Sequence, residues 1–141
     1  MAKKNIRRDQ LIQGAIAKGN GEIADVSILL WQPLTSQLVS IMGEGGFSSL
    51  YSRSLYLTNT TYPWLAPSDS PQFAKSRFAN LKTILEKQSV GDATQGSCAL
   101  FITFTDILAS LIGEQLTIDI LRSAWIDDAS DTDVATQGIS T

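Results

Sequence analysis

From Arg8 onward, apolar positions recur along the chain every three or four residues, the period of a helix, rather than every second residue as in a strand. Between residues 8 and 18, Leu11, Ile12, Ala15 and Ile16 share one face and Gly19-Asn20-Gly21 closes the segment, which predicts a short first helix. Over 23–42 the stripe is Val26, Leu30, Leu34, Leu38 and Ile41, widened by Trp31, with Gly43 as a natural stop. This predicts a second helix. Pro33 lies inside it, and an interior proline removes a backbone hydrogen bond at a cost of about 3 kcal/mol, so a kink or a division into two helices is expected there.

After Gly45-Gly46, the series Phe47, Leu50, Tyr51, Ser54 and Leu55 marks a third helix that fades at Asn59-Thr60-Thr61. Two prolines in Tyr62-Pro63-Trp64-Leu65-Ala66-Pro67 rule out a continuing helix, and the aromatic pair is expected to fold onto the core as a packed loop. Ser70 then caps a helix whose first position is Pro71, with Ala74, Phe78, Leu81 and Leu85 on one face and Lys75, Arg77, Lys82 and Lys87 mostly on the other. Gly91 breaks the chain. Beyond it, Cys98, Phe101, Ile102, Thr105, Leu108, Leu111 and Ile112 define a nearly all-round apolar helix, the expected centre of the molecule, ending at Gly113. A strand at 99–104 is the competing reading, since Phe-Ile-Thr-Phe has strand propensity; against it, the helical period continues past Asp106. Thr117 caps a last helix carrying Ile118, Leu121, Trp125 and Ile126.

The pattern therefore predicts an all-α fold, a compact bundle of five to six helices in a single domain over residues 1–126. Residues 1–8 are expected to be a flexible basic start and 127–141 a disordered acidic tail. No repeat of 20 to 50 residues and no Gly/Ser/Pro linker divides the chain.

Composition narrows function mainly by exclusion. The 141 residues, 43% hydrophobic and 18% charged, have the balance of one globular domain. A net charge of −3 carries no field that argues for nucleic acid or membrane. The basic start of Lys3, Lys4, Arg7 and Arg8 lacks interleaved aromatics, and no secretory apolar stretch follows it. The greasiest region, 98–112, is shorter than the ~18–20 residues of a membrane span. No nucleic acid and no membrane are expected as partners. The single cysteine, Cys98, excludes an intramolecular disulfide and fits a reducing, cytoplasmic location.

The absence of histidine removes the commonest general base and the commonest transition-metal ligand. Cys98 then has no activating partner, and its apolar neighbours raise a thiol's pKa. Ser48, Ser49, Ser52 and Ser54 belong to no Ser-His-acid or Ser-x-x-Lys arrangement. Gly43-Glu44-Gly45-Gly46 precedes a helix, where backbone N–H groups can bind an anion, but it follows a helix and carries an acid, so a tight turn is the better account. Asp127, Asp128, Asp131 and Asp133 lack the spacing of a calcium loop. A non-catalytic chain without metal or cofactor is expected. An enzyme working through carboxylates alone would need two acids facing one cleft, for example Glu114 with Asp106.

Asp106 interrupts the most apolar helix, and a buried carboxylate needs either a cation or solvent. Arg53 on the third helix is the first-choice partner, and the two are the candidate ligand-binding residues. Tyr62 and Trp64 are the candidate interaction surface, with core packing as the plain alternative. The expected function is a regulatory or adaptor module acting through helix-mediated association with a protein partner or a second copy. The alternative is a small-molecule sensor or carrier with a pocket beside the central helix.

Overall fold

The periodic segments are realised as five α-helices: α1 (Ile6–Lys18), α2 (Ile23–Asn59), α3 (Ala74–Glu86), α4 (Val90–Ile112) and α5 (Glu114–Arg122), followed by a π-helical turn, Ser123–Asp127. The computed structural model describes residues 6–19, 21–65 and 74–127; the Ser70-Pro71 start, Lys3 and Lys4, and the acidic tail beyond Asp127 lie outside them. Among the described residues no strand forms, and 99–104 is helical within α4. The all-α bundle is the architecture observed.

The second and third predicted helices form one long element. α2 does not divide at Pro33, because Trp31, Leu34 and Leu38 around it are fully buried and their packing outweighs one lost backbone bond. The axis turns instead at Gly43, whose φ of 80° and ψ of 165° are open to a residue without Cβ and strained for any other. α2 thus has two arms, 23–42 and 44–59, on either side of a single glycine.

α4 starts earlier than its apolar pattern does. Ser89 caps it, its Oγ accepting from the Asp92 amide at 3.1 Å, so Gly91 sits in the first turn rather than breaking the chain. The helix is therefore 23 residues long, and among the described residues it is the one helix long and apolar enough to cross a membrane. It lies against α1, α2 and α5, and its solvent-side positions include Asp92, Gln95, Asp106 and Ser110. Gly113 separates it from α5, which begins at Glu114. Thr117 is accordingly inside the first turn and not the cap, its buried hydroxyl donating to the Gly113 carbonyl at 2.8 Å.

The core centres on Trp31. Its ring stacks on Phe101 at 4.3 Å and meets Tyr51 and Phe104 edge-on at 5.3 and 5.0 Å, with Phe78 stacked at 5.8 Å. Trp125 closes one side, edge-on to Phe101, with its indole N–H donating to the Leu30 carbonyl at 2.8 Å. Elsewhere small residues let α2 and α4 approach, and the buried hydroxyls of Ser27 and Ser97 join across the contact at 2.8 Å. On the surface, Lys82 of α3 reaches Asp25 of α2 at 3.1 Å. That hydrogen bond and charge raise the Lys82 pKa.

Candidate binding groove

The second arm of α2 turns Phe47 and Tyr51 into the aromatic core, where Phe47 meets Phe104 of α4 at 5.6 Å, and beside that contact α2 and α4 stand apart. Gly46 offers no side chain to fill the space between them, and a surface groove of about 550 Å³ opens there, lined on α2 by Ile41, Met42, Gly46, Ser49, Leu50 and Arg53 and on α4 by Ile107, Leu111 and Ile112. Leu50 forms part of the buried floor, whereas Ile41 and Leu111 are 54% and 65% exposed. The only polar side chains in the lining are Ser49 and Arg53. They stand four residues apart on the second arm of α2, and so on one face of it. Arg53 is exposed and makes no ion pair among the described residues.

The expected pairing of Arg53 with Asp106 is therefore not formed. Asp106 is held from the other side of α4 by Arg8, whose Nη1 donates to Asp106 Oδ1 at 2.5 Å and to Thr105 Oγ1 at 3.3 Å. The same guanidinium forks onto Glu114, with Nε to Oε2 at 2.7 Å and Nη2 to Oε1 at 3.1 Å. Arg8 is 2% exposed. It belongs to α1 and is fixed between α4 and α5, so the flexible basic start does not extend to it. Burying a guanidinium requires compensating carboxylates, and two converge on it. Asp106 and Glu114, which could have formed an acid–base pair, instead spend acceptor oxygens on one cation.

Asp9, next to Arg8, has a buried Oδ1 without a hydrogen-bond partner. Burial pushes its carboxyl pKa up, the Asp106 charge adds to that, and Arg8 opposes it; Glu114 contributes least. Burial likewise pushes the half-buried Cys98 thiol up, with a further contribution from Asp9. That is the environment of an inert thiol.

Tyr62 and Trp64 are both partly buried and pack edge-on at 6.0 Å. The Trp64 ring lies over Gly96 of α4, where a Cβ would come within 2.3 Å of its Cη2. The pair thus seats the loop after α2 on the central helix. Gly43-Glu44-Gly45-Gly46 forms a turn of a single residue, with Glu44 Oε2 accepting from Ser48 Oγ at 3.2 Å.

A second cavity of about 400 Å³ lies between the start of α2 and the α3–α4 connection, lined by Glu22, Ile23, Leu85, Glu86, Gln88 and Val90 among others. Among the described residues no three His, Cys, Asp or Glu side chains are grouped to hold a metal. Sequence pattern could not single out Ile41 or Leu111, because both continue the apolar stripes of their helices and read as core. No protein-family model, no curated protein and no solved structure gives a significant match to this chain.

Proposed function

We propose that the chain is a non-catalytic small-molecule binding protein, a sensor or carrier, with the groove between the second arm of α2 and the end of α4 as its site. One observation carries this: a cavity of about 550 Å³ with an apolar lining and a single charge, Arg53, at its edge. Its size falls within the roughly 300–1,000 Å³ usual for small-molecule sites, and a few polar groups in an apolar wall are how such sites orient a ligand. Methyl NMR on the full chain tests it. Titration with a mixture of aliphatic acids, alcohols and amines is expected to shift the Ile41, Ile107, Leu111 and Ile112 methyls; shifts confined to other methyls, or none at all, refute the assignment.

A regulatory or adaptor role through helix-mediated association is the second reading. The exposure of Ile41 and Leu111 at the rim supports it, since apolar side chains on the two walls of a groove are what an amphipathic helix engages. Light scattering behind size-exclusion chromatography separates the two. Association through this face predicts a dimer that Ile41→Asp dissolves, whereas a ligand site predicts a monomer in both forms. The single cysteine, Cys98, which has no second cysteine for an intramolecular disulfide, is what favours a reducing, cytoplasmic setting for either role.

A further inference from the structure

We infer that the ligand of this groove is an amphipathic carboxylate, a molecule with one anionic end and an unbranched apolar body. The inference rests on the small-molecule reading and adds the chemistry of the ligand to it.

The polarity of the site is one-ended. From Gly46 to Arg53 the second arm of α2 advances seven residues, about 10 Å of helix, with Ser49 between them on the groove side. Ile41 and Met42 stand at the Gly43 end, and Ile107 and Leu111 form the opposite wall. An apolar body laid along this track meets only hydrocarbon until it reaches Ser49 and Arg53. At that end a guanidinium and a hydroxyl are available, and Arg53 has no carboxylate of its own among the described residues.

Charge selects the end group. The molecule is acidic, net −3, and the carboxylates of Asp106 and Glu114 are engaged by Arg8 rather than by Arg53. Arg53 is thus a local cation with no ion pair to occupy its fork of donors among the described residues. A planar monoanion matches two parallel N–H donors, and the Ser49 hydroxyl adds a third. A cationic headgroup is repelled there, and a neutral hydroxyl recovers only part of the attraction.

Calorimetric titration of the full chain with decanoate, decanol and decyltrimethylammonium, each below its micelle concentration, compares three end groups on one alkyl body. Decanoate is expected to bind about tenfold tighter than decanol, the contribution of one charge-assisted hydrogen bond at a partly exposed site, with the ammonium weakest. Arg53→Gln is expected to abolish that tenfold preference, weakening decanoate far more than decanol; the side chain is exposed, so circular dichroism should show the fold intact. Decanol binding as tightly as decanoate, or decanoate affinity unmoved by Arg53→Gln, overturns the carboxylate assignment and leaves the groove as an apolar site. If none of the three probes binds, the groove function falls with it.

Discussion

α2 and α4 meet twice, and the two meetings have opposite character. Around Trp31 the contact is closed by large rings: Tyr51, Phe101 and Phe104 surround the indole, and none of the four exceeds 2% exposure. On the groove side of the second arm, whose Phe47 and Tyr51 still belong to the aromatic contact, the same two helices face each other through Gly46, Ser49, Ile107 and Leu111, and the space between them stays open to solvent. Both ends carry the helical period that marks a core, so periodicity alone does not distinguish them. Side-chain volume does. An interior at native packing density needs large residues opposite one another, and a glycine with a serine three positions on cannot supply them.

The comparison makes a sharp division of labour testable: stability should reside at the aromatic end and binding at the open end. Trp31→Ala gives the largest expected loss, about 3–5 kcal/mol, since it removes the ring that four others pack against. A loss of unfolding free energy in urea smaller than a third of that would mean the aromatic cluster is not the core it resembles. Next comes Arg8→Met, expected to lose about 2–3 kcal/mol, below the 3–5 of a fully buried broken pair because the Asp106 and Glu114 side chains are 48% and 39% exposed and can rehydrate. Arg8 grips α4 at residue 106, one position from groove residue Ile107, so this variant should also weaken decanoate binding.

That clamp marks where legibility in the sequence ends. Helices were legible because each buries one face, and Gly43 and Gly113 were legible as stops because no other residue adopts their backbone easily. Pro33 misleads, since whether an interior proline divides a helix is decided by what its neighbours bury, here Trp31 and Leu34. Gly91 misleads as well: the capping signal Ser89-x-x-Asp92 was present, and a glycine in a first turn does not end the helix it helps to start. For Asp106 the sequence left a cation or solvent open, and the structure supplies both, with the side chain 48% exposed and held by Arg8; the identity of that cation was not legible. Arg8 lies 98 residues away in sequence, and nothing in a run of four basic residues says which one is buried. A pocket beside the central helix with Arg53 in it was an open alternative in the sequence, but its apolar walls were not legible, because they are brought together only by the path of the chain.

Smaller effects sharpen the boundary between the two meetings. Gly96→Ala places a Cβ against the Trp64 ring and is expected to lose about 1–3 kcal/mol, mostly by unseating the loop, with a visible change in tryptophan emission. Because Trp64 is outside the cluster around Trp31, groove binding should survive. Asp9→Asn works in the opposite direction. The Asp9 carboxyl has a raised pKa in the folded chain, so above the ordinary carboxylate range the folded state must ionise a group it holds unfavourably, and stability falls as pH rises through that window. Substitution is expected to raise stability at pH 7, and the gain should vanish at pH 3, where Asp9 is protonated in both states. Denaturation curves at the two pH values check it; an equal gain at both would trace the effect to packing instead of charge.

The smallest expected change in stability belongs to Leu111→Ser, and it is the most informative for function. Leu111 is 65% exposed on the wall of the groove, so removing its side chain deletes little buried area and should change the unfolding free energy from urea titration by no more than about 0.5 kcal/mol. An apolar ligand seated in the groove would cover that same side chain, and losing about half of a leucine's transfer energy, roughly 1 kcal/mol, corresponds to a fivefold to tenfold weaker decanoate and decanol affinity alike. Arg53→Gln should weaken decanoate far more than decanol, so the two variants together separate the wall from the charged end. A Leu111→Ser chain that is destabilised like Trp31→Ala, or one that binds decanoate as the parent does, would show that the open end is an ordinary part of the core and dissolve the contrast between the two meetings of α2 and α4.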